Sequence, residues 1–235
     1  MKKHEWFVLF AMLFMVSVQA MADRRSYVWT YEYLTMPQGE TEAEYYFTIE
    51  NPDLNAFRDT SRFKHWIELE HGITDHWDFS IYQTFVQNPG EALKYEGLKL
   101  RTRYRFSERG VLPVDPLIYL EYIRAFEELE DKIEGKIILA KDLWKINISL
   151  NLVGEIEKKG GEEWEDEEKA LIGISIEPTP AFKIGGEYEI AEMKAYLGPT
   201  ISFASGENWL TIGTRWGLTD KARDFDLRML IGIGL

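Results

Sequence analysis

Trp144-Lys-Ile-Asn-Ile-Ser-Leu-Asn-Leu-Val-Gly-Glu-Ile-Glu157 changes character at almost every residue. Trp144, Ile146, Ile148, Leu150 and Leu152 share one parity, and Lys145, Asn147, Ser149, Asn151 and Glu155 share the other. Successive side chains of a strand point to opposite faces, so this period of two predicts a strand with one apolar and one polar face. Three further stretches repeat the pattern. Ala170, Ile172, Ile174 and Ile176 oppose Leu171, Gly173, Ser175 and Glu177; Phe182, Ile184, Gly186, Tyr188 and Ile190 oppose Lys183, Gly185, Glu187 and Glu189; Leu210, Ile212, Thr214 and Trp216 oppose Trp209, Thr211, Gly213 and Arg215.

Working outward gives about thirteen alternating segments: 26–35, 42–50, 62–71, 77–86, 94–106, 116–126, 132–141, 144–157, 168–177, 181–191, 194–204, 207–217 and 225–235. Most run to about ten residues, the length a tilted strand needs to cross a bilayer, whereas strands of soluble sandwiches average about five or six. The polar face is heavily charged and the apolar face is rich in Ile, Leu and aromatics. That combination predicts an inside-out sheet, apolar toward lipid and polar toward a wet lumen. Trp77, Phe85, Tyr104, Phe106, Trp144 and Phe182 fall near strand ends, where aromatic girdles meet the lipid–water interfaces.

The first residues fit an exported chain. Met1-Lys2-Lys3 is a basic start, Trp6 to Val18 an apolar run, and Ala20-Met21-Ala22 a small-x-small cleavage signal, so residues 1–22 are predicted to be removed. The run is shorter than the ~20 residues of a spanning helix. Loss of Lys2, Lys3 and Glu5 makes the charge one unit more negative than the precursor's −13. Such an acidic chain lacks the basic surface that nucleic-acid binding requires. It has no Cys, which excludes a lipid-anchored Cys and a disulfide framework.

The terminal stretch Phe225-Asp-Leu-Arg-Met-Leu-Ile-Gly-Ile-Gly-Leu235 alternates to its last residue. It resembles the C-terminal strand of bacterial outer-membrane barrels, although Leu235 stands where Phe is usual. The hairpin Leu69-Glu-His-Gly-Ile-Thr-Asp-His-Trp-Asp-Phe79 is similar to the strand–GxTD–strand turn of uncharacterised Gram-negative barrels with porin- or transporter-like annotation. The resemblance implies an outer-membrane antiparallel up-and-down barrel, lipid and lipopolysaccharide as surroundings, and the barrel-assembly machinery as the partner of Phe225 to Leu235. It says little about function.

Bacterial single-chain barrels have even strand numbers and periplasmic termini. The thirteen segments therefore resolve best into twelve strands from Glu42 onward, with fourteen as the alternative and residues 23–41 as a plug or seam strand. Loops 51–61, 87–93, 127–131, 158–167, 192–193 and 218–224 then face outward. Turns 72–75, 107–115 and 141–143 face the periplasm. Pro199 lacks a ladder donor, and a bulge is expected there.

Parity places Lys99, Arg101, Arg103 and Arg105 on the lumen side of one strand, spaced ~7 Å apart. Glu42, Glu44, Glu50, Glu68, Glu70, Asp78, Glu121, Glu134, Glu187 and Glu189 face the same interior. Two readings stand. The basic ladder and acidic face form a transverse field that selects small polar solutes, anions among them, in a passive channel or transport component. Alternatively, they interdigitate as salt bridges sealing the lumen of a structural or accessory barrel. The acidic loop Lys158–Glu168 reads as a solvated outer loop. An envelope hydrolase is the weakest reading. His76 and Ser80 are ~13 Å apart along their strand, and Asp75 and His76 point oppositely. The facings of His65, Glu68, Glu70, His71 and His76 disagree, so no metal is expected, nor any cofactor.

Overall fold

The computed structural model describes residues 24–127 and 129–235, so the predicted leader 1–22 lies outside the described residues. Twelve antiparallel strands close into one barrel in which each pairs with its chain neighbours. They are β1 (Thr41–Asn51), β2 (Arg62–Thr74), β3 (Trp77–Gln87), β4 (Lys94–Arg105), β5 (Asp115–Ala125), β6 (Glu130–Leu143), β7 (Ile146–Lys159), β8 (Glu165–Thr179), β9 (Phe182–Ala191), β10 (Lys194–Ser205), β11 (Asn208–Gly217) and β12 (Phe225–Gly234). β1 pairs directly with β12, from Glu42 opposite Gly234 to Asn51 opposite Phe225, so closure leaves no open sheet edge. No helix among the described residues is long and apolar enough to cross a membrane.

The two strand faces follow the sequence parity. Ile67, Leu69, Ile81, Ile118, Leu120, Ile137, Leu152, Ile172, Ile174 and Ile184 are exposed on the outer wall. Exposed Trp77, Tyr104, Phe106 and Trp144 ring one end, and Tyr95, Phe126 and Trp216 ring the other. With the β1 and β12 termini placed in the periplasm, the first ring is periplasmic and the second extracellular.

Several boundaries differ from the sequence reading. Trp144 does not open a strand: β6 continues to Leu143, and Trp144 sits in the turn at φ 58°. The GITD stretch contributes Gly72, Ile73 and Thr74 to β2 and leaves only Asp75 and His76 between strands. β7 and β8 run on to Lys159 and back from Glu165, so the acidic outer loop is mostly hairpin. An ion pair crosses that hairpin, Lys169 of β8 bonding Glu155 of β7 at 2.9 Å.

Pro199 produces no bulge. β10 keeps full register with β9, Gly198 opposite Glu187 and Pro199 opposite Gly186. The ladder to β11 skips from Leu197–Trp216 to Thr200–Gly213 without shifting. Gly198 is the reason: a Cβ there would lie 1.7 Å from the Thr214 carbonyl oxygen. The backbones press together where the missing proline donor falls, and the strand passes without an extra residue.

Residues 24–36 form no ladder with the wall and are almost continuously buried. Their partners come from all round the barrel. The Tyr27 hydroxyl donates to the Asn147 carbonyl of β7 at 3.1 Å, Thr200 of β10 to the Ser26 carbonyl at 3.0 Å, and Thr211 of β11 to the Arg25 carbonyl at 2.7 Å. The Met36 N–H reaches Asp78 of β3 at 3.1 Å. Only a segment within the lumen can meet these inward faces together. It rises from the periplasmic end beside Pro180, turns at Trp29–Tyr31, and descends past Ser107 and Asp75 into β1.

The wall is shaped to receive it. Inward Tyr46, Tyr82, Val153, Leu171, Trp209 and Leu230 pack round Val28 and Trp29, and Leu117, Tyr119, Ile138 and Ala140 round Tyr31 and Tyr33. The barrel's apolar core is therefore inside the lumen, where polar-inward alternation lapses. Gly173 and Gly213 complete the seat. A Cβ at Gly173 would fall 2.7 Å from the Tyr27 ring, and one at Gly213 would fall 2.5 Å from Val28 Cγ2.

Candidate functional site

The lumen divides at the turn of the inserted segment. Below it, charges are packed and paired. Arg101, 1% exposed, donates to the Ser80 hydroxyl at 2.6 Å and to Glu70, and pairs ionically with Glu68 at 2.8 Å. Its Nη1 also donates to the Tyr82 hydroxyl at 2.7 Å. Arg103 clamps Asp78 through Nη2 at 2.7 Å and Nε at 3.0 Å, and bridges to Glu70. Glu68 in turn accepts from the Tyr46 hydroxyl at 2.8 Å. Such pairs survive burial because each charge has a counter-charge and further hydrogen bonds.

The predicted ladder is thus split by depth. Arg101 and Arg103 are enclosed, and their carboxylates stand on adjacent strands β2 and β3 rather than across the lumen. Arg105 lies at the periplasmic end, donating to the Asp75 carbonyl at 2.8 Å and pairing with Glu108 at 3.2 Å. Lys99, paired with Glu121 at 3.1 Å, lines the open upper half.

The acidic residues also divide. Glu187 holds the turn of the inserted segment, accepting from the N–H groups of Val28 at 2.8 Å, Trp29 at 2.9 Å and Thr30 at 2.5 Å. Glu42 accepts from the Trp209 indole at 2.9 Å. Glu44, Glu68 and Glu70 bring one carboxylate oxygen each within 4.8 Å of the others, but Arg101 already occupies two of the three. Glu189 pairs with Arg215 at 2.6 Å, above the segment. Within the segment, burial pushes the Glu32 carboxyl up, yet nearby Lys183 and the N–H and hydroxyl of Ser26 outweigh it and hold the group below the usual carboxylate range. His65 and His71 lie on the outward face and bond Tyr45 at 2.6 Å and Thr41 at 2.8 Å.

Above the segment, a cavity of about 460 Å³ opens toward the extracellular end. Its floor includes Trp29, Tyr31, Trp66, Tyr82 and Tyr119, and its rim is ionic. Twelve Lys and Arg side chains line it against nine Glu, a local cation excess within a chain of net charge −13. Among them are Arg215, which the sequence reading set on the polar parity but not in the ladder, and Arg223 and Arg228, which it did not single out. Arg228 was visible by parity, sharing the inward face with Asp226 and Leu230, but it falls within the stretch read as a terminal insertion signal.

Comparison with solved structures follows from this geometry. A KdgM porin in complex with disordered oligogalacturonate superposes with a TM-score of 0.61 at 11% identity, over 83% of this chain and 99% of that one. The COG4313 outer membrane channel from Pseudomonas putida F1 gives 0.61 at 13%, over 87% and 98%. The NanC porin gives 0.53 at 7%, over 82% and 97%. The fold is that of outer-membrane porin-like barrels. No protein-family model matches the sequence, and no curated protein matches it. At these identities the likeness speaks for architecture alone.

Proposed function

We propose that the protein is an outer-membrane channel, or the barrel of a transport assembly, for small polar solutes in a Gram-negative envelope, with residues 24–36 as its removable constriction. The observation that carries this reading is how the lumen is closed. The block is a segment held by side-chain hydrogen bonds and packing, without strand pairing, beneath an open, charged cup. A lumen filled only by its own wall residues would need no such insert. The porin-like fold and the cation excess of the cup support the reading and favour anionic solutes. Lys99 meets a solute in the cup, and Arg101 and Arg103 meet it once the segment withdraws, as the cation ladder of a selective passage.

Solute efflux from vesicles tests this. Vesicles carrying the mature protein should release small sugars and sugar acids slowly. Those carrying a chain without residues 24–36, or Gly173→Leu, which evicts Tyr27, should release them rapidly, with sugar acids ahead of neutral sugars. Heat-modifiable gel migration verifies that each barrel is folded. Folded variants that release neither class would favour a second reading, a sealed accessory barrel, for which the enclosed Arg101–Glu68–Glu70–Arg103–Asp78 network speaks.

A further inference from the structure

Most cations of the cup are already neutralised. Lys132 bonds Glu155 at 2.8 Å, Arg215 bonds Asp226 at 2.8 Å, and Arg223 bonds Asp226 at 2.8 Å. Arg228 is different. Among the described residues no carboxylate lies within 4.0 Å of it; its Nε donates to the Thr48 hydroxyl at 3.0 Å and its Nη1 to the Val28 carbonyl at 3.2 Å. A guanidinium has five N–H donors in a planar fork, and two neutral acceptors leave most of that capacity unused and the group without an ion pair.

Its surroundings add donors rather than acceptors. The guanidinium carbon is 5.5 Å from the Trp29 ring centroid and 5.0 Å from that of Trp66. The indole Nε1 atoms of both Trp29 and Trp66 are buried without an acceptor, as is Nε of Arg62, which also lines the cup. The Lys99 ammonium also sits 3.9 Å from the Trp66 ring centroid. Buried donors normally find partners, so two unanswered indole N–H groups beside an arginine without an ion pair, on the floor of an open cavity, call for an oxyanion.

We infer that the floor of the cup around Arg228, Trp29 and Trp66 is a binding site for the carboxylate or phosphate group of a small polyhydroxylated solute. The anion is anchored by Arg228, beside the Trp29 and Trp66 rings on which the cations of the floor stack. The inference rests on the cup being the solute's way in, but it concerns binding and not passage. Because Trp29 belongs to the inserted segment, the site is complete only while the segment is in place.

Isothermal titration of the folded mature protein with glucose 6-phosphate, gluconate and glucose tests it without any flux measurement. Glucose 6-phosphate, gluconate or both should bind and glucose should not. The two acids distinguish phosphate from carboxylate. Arg228→Gln should weaken binding by at least about tenfold, as loss of a charged hydrogen bond predicts. Trp66→Phe, which keeps a ring and removes the N–H, should weaken it by a smaller factor. Lys221→Gln, on an outer loop, should leave it unchanged. Absence of binding by either acid would overturn the inference while leaving the channel reading intact. So would equal binding of glucose, or equal loss in Arg228→Gln and Lys221→Gln, the mark of diffuse attraction.

Discussion

Replacing Glu187 with alanine is expected to release the inserted segment while leaving the barrel standing. One carboxylate answers three consecutive backbone N–H groups, those of Val28, Trp29 and Thr30, at the turn of the segment. Without it, three buried donors lose their acceptor together, at about 1–3 kcal/mol each. The wall has no such debt, since the β9 ladders to β8 and β10 do not involve this side chain. The cheapest relief is for the turn to leave the lumen and meet water. Hydrogen exchange read by mass spectrometry should show the amides of residues 27–31 exchanging at least about a hundredfold faster in Glu187→Ala, with the strand amides unchanged. Glu187→Gln keeps one accepting oxygen and should fall between. Unchanged protection in Glu187→Ala would mean that packing of Val28 and Trp29 alone retains the segment.

The second large effect is on stability. Arg101→Met should destabilise the folded barrel by about 3–5 kcal/mol, the cost of leaving buried carboxylates without their counter-charge. Arg101 is 1% exposed and serves Glu68, Glu70, Ser80 and Tyr82 at once. Adding Glu70→Gln to Arg101→Met should recover part of the loss, because one orphaned charge disappears with it. Urea unfolding in lipid vesicles, followed by tryptophan fluorescence, gives both values. A loss under about 1 kcal/mol would instead mark Arg101 as a solvated pore cation, as for exposed ion pairs.

These two residues also show what was legible beforehand. Period-two alternation located all twelve strands and put Glu68, Glu70, Asp78 and Glu187 on the polar face, because strand parity is a local property. It also assembled Lys99, Arg101, Arg103 and Arg105 on one face. Depth was not legible: nothing in 94–106 distinguishes Lys99, in the open cup, from Arg101, sealed below it. That difference is made by residues 24–36, far away in sequence. Their own alternation resembled a strand, whereas in the lumen both faces are buried and the period loses its meaning. The inward Tyr46, Tyr82, Leu171 and Trp209 were lapses from polar-inward order, and each marks where the segment packs. Gly173 and Gly213, read only as small inward residues, are seats for Tyr27 and Val28. Trp144 was misplaced because its parity suited a strand; only the backbone shows it at positive φ in the turn.

Single-channel recording in planar bilayers addresses the central claim, that residues 24–36 are what closes the lumen. The folded mature protein should insert with little or no resolved conductance. The chain lacking residues 24–36, equally folded by heat-modifiable migration, should give steady steps with anion preference under a salt gradient. Equal conductance in the two proteins, whether both open or both silent, would contradict it.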